Sequence, residues 1–152
     1  MLDCDFVNLG FSGNAKGETE MAEYIAGLPM SVFVYDYDHN AGPEHLQATH
    51  GRMFRIIRER QPQLPVIMIS RPQPYLNEEE RAMRRIIEET FQSALQAGDR
   101  NVYFIDGSSL LHRFGGDSGT VDRCHPNDLG FMCMADGIRE TLRQALEGTT
   151  GR

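Results

Sequence analysis

Cysteine is scarce in this sequence. Three thiols, Cys4, Cys124 and Cys133, are scattered over 152 residues, too few and too far apart for a disulfide framework. An odd number leaves at least one of them free, which suits a reducing compartment better than secretion. Long apolar runs are missing too, since none approaches the ~20 residues needed to span a bilayer. The opening MLDCDFVNLG has neither the basic region nor the apolar core of a signal peptide. The expectation is a cytoplasmic protein, unless a segment that directs it elsewhere lies outside this chain. Positive charge is in deficit: 15 Lys and Arg stand against 22 Asp and Glu, a net charge of −7. Such a surface repels phosphates and anionic lipid, which argues against nucleic acid or a membrane as partner. Several motifs are absent as well. Without G-x-G-x-x-G or a following G-K-[ST] there is no support for a nucleotide site, and without C-x-x-C or H-E-x-x-H little for a metal. No cofactor is expected.

What the sequence does have is alternation. Four short apolar runs read as strands: residues 5–11, 31–37, 64–70 and 101–107. Their centres are nearly continuous in Val, Ile, Phe and Met, as in strands covered on both faces. Helical spacing lies between them. Met21, Ala22 and Ile25 mark a short helix, and Leu46, Met53, Ile56 and Ile57 a second one opened by Gly42 and Pro43. A third has Asn77 as N-cap, three glutamates in its first turn and Gly98 past its end. The last starts at Pro126 and Asn127, with an apolar stripe of Leu129, Met132, Ala135, Ile138, Leu142 and Leu146 and a stop at Gly148. Met132, Cys133 and Met134 read as core filling, and the tail GTTGR as frayed. The expected fold is a single α/β domain over 1–152, three-layered α/β/α and flavodoxin-like, with a mostly parallel sheet of about four strands.

In such sheets ligands bind beyond the carboxyl ends of the strands, and the unusual residues fall on those loops. GFSGNAKGE follows the first strand, DYDHNAG the second, Arg71 and Pro72 the third. The fourth is followed by a long loop with His112, Asp117, Ser118, Asp122 and His125. A carboxylate three residues before an imidazole can fix its tautomer and leave the other nitrogen as a base. The plainer reading of Asp122 is a turn cap, with His125 an ordinary polar residue before a helix. The glycine loop either bares N–H groups toward an anion or is a tight turn. Asn40 is an amide donor into the crevice or a turn residue. Arg71 either holds a substrate carboxylate or is simply exposed. His39, His45 and His50 read as solvated or helix-surface residues. Asp122, Cys124 and His125, with His112 and Asp117 nearby, raise a metal site only weakly, because sequence neighbours seldom point at one ion. Cys124 as a nucleophile beside His125 fails for the same reason.

Together, NLGFSGNA after one strand, DYDHN after the next and the late VDRCHPNDLGF resemble blocks II, III and V of the SGNH (GDSL-type) hydrolases, closest to their SGNH-hydrolase-type esterase branch. The resemblance runs through nearly the whole chain. It implies a serine esterase or acylhydrolase acting on a small-molecule ester, with His125 as general base, Asp122 as its partner, and Gly13 and Asn40 as oxyanion donors. It also exposes a gap. The family's nucleophilic serine belongs to a block I on an earlier strand, and no such block precedes residue 5, so the domain reads as N-terminally incomplete. Ser118, in GGDSG, matches only short text; Ser108 and Ser109 read as turn residues. Ser12 is the remaining nucleophile candidate, although its place in the family belongs to the oxyanion element. In the family the absent strand is central, so its loss uncovers two inner edges. Either those strands pair directly, or another chain fills the slot as in a homo-oligomer, or an N-terminal segment of a longer polypeptide does. The contrasting functional reading is a non-catalytic α/β binding or interaction module.

Overall fold

The computed structural model describes residues 2–112 and 116–150. Helix α1 (Thr19–Ala26) precedes strand β1 (Phe33–Tyr35), then α2 (Pro43–Arg60), β2 (Val66–Ile69), α3 (Glu78–Gln96), β3 (Val102–Ile105) and α4 (Asp128–Thr150). The strands form one parallel sheet in the order β1-β2-β3, with Tyr35 opposite Met68 and Met68 opposite Phe104. All four residues of β2 are buried, as a central strand between two helical layers requires. Their alternation divides the core. Val66 and Met68 pack with Leu46, Met53, Ile57, Met83 and Ile87 from α2 and α3. Ile67 and Ile69 pack with Leu110, Ala145 and Ile138 beneath α4. Three layers result.

Local chemistry sets the boundaries. Pro43 occupies the first turn of α2, where its missing N–H goes unneeded. Asn77 Oδ1 accepts the Glu80 N–H at 2.9 Å while Glu80 Oε2 accepts the Asn77 N–H at 2.8 Å, a reciprocal capping box that starts α3. The Arg58 guanidinium donates to the carbonyls of Gln61, Leu64 and Asn101 and pairs with Asp99 at 2.8 Å. It thereby binds the end of α2 to the entrances of β2 and β3.

Four sequence expectations need correction. The sheet has three strands among the described residues, because residues 5–11 pair with no other strand. Phe6 is 88% exposed there, and a strand without a neighbour has no ladder to hold it. Of the expected α4 stripe, Ile138 and Leu142 pack on the core, together with Met134 and the buried Gly130, Cys133 and Ala145. Leu129, Met132 and Ala135 are exposed, so Met132 is not core. The helix continues through Gly148 to Thr150; the rest of the tail, residues 151 and 152, lies outside the described residues, as does Gly115 of GGDSG. His50 is buried rather than solvated. Its ring stacks on Tyr35 at 4.4 Å, and Nδ1 meets Thr90 Oγ1 at 2.9 Å. No helix among the described residues is long and apolar enough to cross a membrane.

Candidate active site

The chain reverses between Thr120 and Pro126, which form an isolated antiparallel bridge. The Val121 N–H donates to His125 O at 2.9 Å, and Arg123 makes the reversal at φ 67°. Asp122 holds this turn from within. Its Oδ1 accepts the N–H groups of Cys124 at 3.0 Å and His125 at 2.8 Å, while Oδ2 meets His125 Nδ1 at 2.7 Å. An ionised carboxylate only accepts, so Nδ1 carries the proton and Nε2 keeps its lone pair in the neutral ring. The His125 N–H, then the ring, then the Cys124 N–H hold the Asp122 carboxyl down at about 2. Asp122 therefore both caps the turn and fixes the ring, and the two sequence readings coincide. The His125 side chain is 77% exposed, open to whatever approaches.

Helix α4 anchors this turn. Asn127 Oδ1 accepts the Gly130 N–H at 3.0 Å, and its amide donates to Ser118 O at 2.9 Å. Gly130 packs so closely on Gly119 that a Cβ there would lie 2.0 Å from Gly119 O.

The loop after β1 begins with a short 3-10 turn, Asp38–Asn40. Asp38 is buried, and its Oδ2 accepts the Arg71 N–H at 2.8 Å, joining the loops after β1 and β2. Burial raises its carboxyl to about 6. His39 Nδ1 lies 3.7 Å from Cys124 Sγ, so this loop also reaches the Asp122–His125 turn. Burial, with Arg71 and His125 close by, lowers the His39 ring to about 4 and keeps it neutral. Cys124 therefore faces His39, not His125. Asn40 donates from Nδ2 to Ala15 O at 3.2 Å, which ties the same loop to the glycine loop. There Ser12 and Gly13 both have positive φ, 49° and 83°, in a turn closed by Asn14 N–H to Phe11 O at 3.1 Å. Glycine fits that conformation without penalty; serine does not. The turn reading of this loop is met, and a Cβ at Gly13 would meet nothing within 4 Å.

The loops of Gly13, Asn40 and His125 are thus linked in series. Ser12 is exposed, and no hydroxyl is hydrogen-bonded to the His125 ring among the described residues. Ser108 and Ser109 bond back to Asp106, as turn residues do. Arg71 is neither exposed nor free for a substrate, because its guanidinium pairs with Glu80 at 2.8 Å. His45 bonds Lys16 O at 2.7 Å, and His112 meets the edge of Tyr75. No group of three or more His, Cys, Asp or Glu among the described residues is arranged to hold a metal ion. Sequence reasoning missed the Cys124–His39 contact and the burial of Asp38; only the tertiary fold brings these groups together.

The sequence profile of the GDSL-like Lipase/Acylhydrolase family matches residues 1–143. The chain belongs to that family. Its GDSL-like fold is similar to that of a crystal structure described as a GDSL-like lipase from Bacteroides ovatus ATCC 8483, at 1.40 Å resolution. The TM-score is 0.82 and the identity 30%, over 93% of this chain and 44% of that one. It is also similar in fold to the salicylyl-acyltransferase SsfX3 of a tetracycline biosynthetic pathway, with TM-score 0.69 and 21% identity, over 85% of this chain and 42% of that one. No curated protein sequence matches. This GDSL-like chain therefore spans less than half the length of either solved neighbour. Family membership places it among the GDSL-like lipases and acylhydrolases.

Proposed function

We propose that this chain carries the base and oxyanion side of a serine esterase or acylhydrolase acting on small-molecule carboxylic esters. The observation behind the reading is the 2.7 Å contact between Asp122 Oδ2 and His125 Nδ1, on a turn that touches the Asn40 loop. His125 Nε2 takes the proton of an attacking hydroxyl, and Asp122 steadies the imidazolium that forms. The Gly13 N–H and the second amide hydrogen of Asn40, the first being engaged by Ala15 O, receive the developing oxyanion. Collapse expels the alcohol, which takes its proton from His125. Water then releases the acid by the same route. The sequence draws on no metal or organic cofactor. Ser12 is the nucleophile candidate on the glycine loop; the alternative is a hydroxyl brought by a segment outside the described residues.

Hydrolysis of p-nitrophenyl acetate tests this reading. Activity that disappears in His125→Ala and falls in Asn40→Ala supports it, and Ser12→Ala assigns or dismisses Ser12. A second reading, a binding module without chemistry, is favoured by the exposed ring and by the lack of a hydroxyl on it among the described residues. Wild-type turnover no faster than His125→Ala would decide for that module.

A further inference from the structure

Of the three thiols, Cys4 is exposed, Cys133 is buried on α4, and Cys124 is half-buried. The fold sets Cys124 against an imidazole: its Sγ lies 3.7 Å from His39 Nδ1, across 85 positions of the sequence. One partner sits on the turn before α4 and the other in the 3-10 turn after β1. Both turns are held by bonds of their own. The Cys124 N–H donates to Asp122 Oδ1 at 3.0 Å. The His39 turn is closed by the Ala41 N–H on Asp38 O at 3.1 Å, and Asp38 Oδ2 ties it to the Arg71 N–H. The contact is thus made by two fixed loops. Around the ring stand Arg71 of the loop after β2, His125 of the turn and Glu80 of α3. Burial, Arg71 and His125 disfavour the imidazolium, and Glu80 favours it. The neutral ring keeps a lone pair to receive a proton.

We propose that Cys124 and His39 form a nucleophile–base pair that takes an acyl group from an activated ester onto sulfur. With the ring proton on Nε2, the Cys124 S–H donates to the lone pair of Nδ1. As Sγ bonds to the acyl carbon, Nδ1 takes the thiol proton. The C–O bond to the alcohol then breaks, and the alkoxide recovers that proton from His39. The products are S-acyl Cys124 and the free alcohol, with the ring neutral again; nothing is oxidised or reduced. Neighbours on one turn, such as Cys124 and His125, seldom reach nucleophile–base geometry, but here the ring comes from a separate loop. Acylation of Cys124 stands apart from the esterase reading. Only the later release of the acyl group, by water that His125 activates, rests on it.

The test is acetylation of this chain by p-nitrophenyl acetate, quenched in acid and quantified residue by residue by peptide mass spectrometry, with cleavage by hydroxylamine as the sign of a thioester. Cys4, the exposed thiol of the same chain, is the internal reference. Near pH 6 the acetyl group should reach Cys124 at least about 10-fold faster than Cys4, since only Cys124 has a base beside it. A solitary thiol reacts through its thiolate and gains about tenfold in rate per pH unit. The Cys124 rate should instead stay nearly level from about pH 5 to 7, where the base is already neutral. His39→Gln should slow Cys124 by roughly 10²-fold and restore the tenfold-per-unit slope, a change that lost packing alone does not produce. If that variant does not fold, the wild-type pH profile decides by itself. Equal rates at Cys124 and Cys4, a Cys124 rate that climbs with thiolate, or a folded His39→Gln as fast as wild type overturns the proposal. S-acetyl Cys124 that forms without turnover supports the pair and refutes the esterase reading. Turnover lost in His125→Ala but kept in Cys124→Ala, with no acetyl on Cys124, supports the esterase reading and overturns the pair.

Discussion

Replacing His50 by phenylalanine isolates one buried proton-binding site and makes its linkage to folding measurable. The ring of His50 is 1% exposed and packs against Tyr35 at 4.4 Å and Tyr37 at 5.9 Å, rings that also touch each other. The Thr90 hydroxyl donates to Ile86 O at 3.2 Å and so accepts from His50 Nδ1–H at 2.9 Å. Nε2 is then the atom that must be protonated, and burial lowers the ring to about 3. In the unfolded chain the same ring takes its proton near pH 6.5. Between these values the unfolded state binds more protons, so stability falls as pH falls from about 6.5 toward 3. The slope approaches about 1.4 kcal/mol per pH unit, and from pH 6 to pH 4 the loss is about 2.5 kcal/mol. Phenylalanine keeps the stacked ring and removes the titration. Its lost contact with Thr90 shifts stability by about 1 kcal/mol at every pH. Asp38, raised to about 6, opposes this trend, since its neutral form stabilises at low pH and that contribution fades as pH rises through 6. His39, held at about 4, acts in the same direction as His50. Both remain in the variant, so they cancel in the difference. Urea unfolding at about pH 6, 5 and 4 should therefore show the wild type losing about 2.5 kcal/mol relative to His50→Phe. Parallel curves, with a constant difference across that range, would refute the reasoning.

Asp122→Asn keeps an acceptor for the two turn N–H groups but cannot polarise the ring as a carboxylate does. Ester turnover should drop by roughly 10²–10⁴-fold, the upper end seen where a triad carboxylate is neutralised, while the thermal midpoint changes little. Gly130→Ala forces a methyl group against Gly119 O at a built distance of 2.0 Å and should destabilise by about 1–3 kcal/mol. Gly148→Ala, where nothing lies within 4 Å, should instead stabilise by up to about 1 kcal/mol in thermal denaturation. Arg58→Met removes the guanidinium donor from the Leu64 carbonyl and from Asp99 Oδ2, and should cost about 2–4 kcal/mol in urea unfolding.

These cases mark where the sequence could be read and where it could not. The start of α3 was legible because a capping box lies within four residues, and β2 because a run buried on both faces is apolar throughout. The Asp122–His125 pair was legible for the same reason, since a turn places residues three apart in contact without help from the rest of the chain. The face of α4 was legible only in part: Ile138 and Leu142 pack inward as their spacing suggests, but the buried Gly130, which meets Gly119, carries no weight in hydrophobic counting. His50 was hidden because its burial depends on rings supplied by β1 and the residues after it. Residues 5–11 show the opposite error. Their pattern is that of a buried strand, yet strandedness belongs to a pair, and the structure leaves their neighbour's place open. Phe6 and Val7 instead line a groove whose opposite edge is β1.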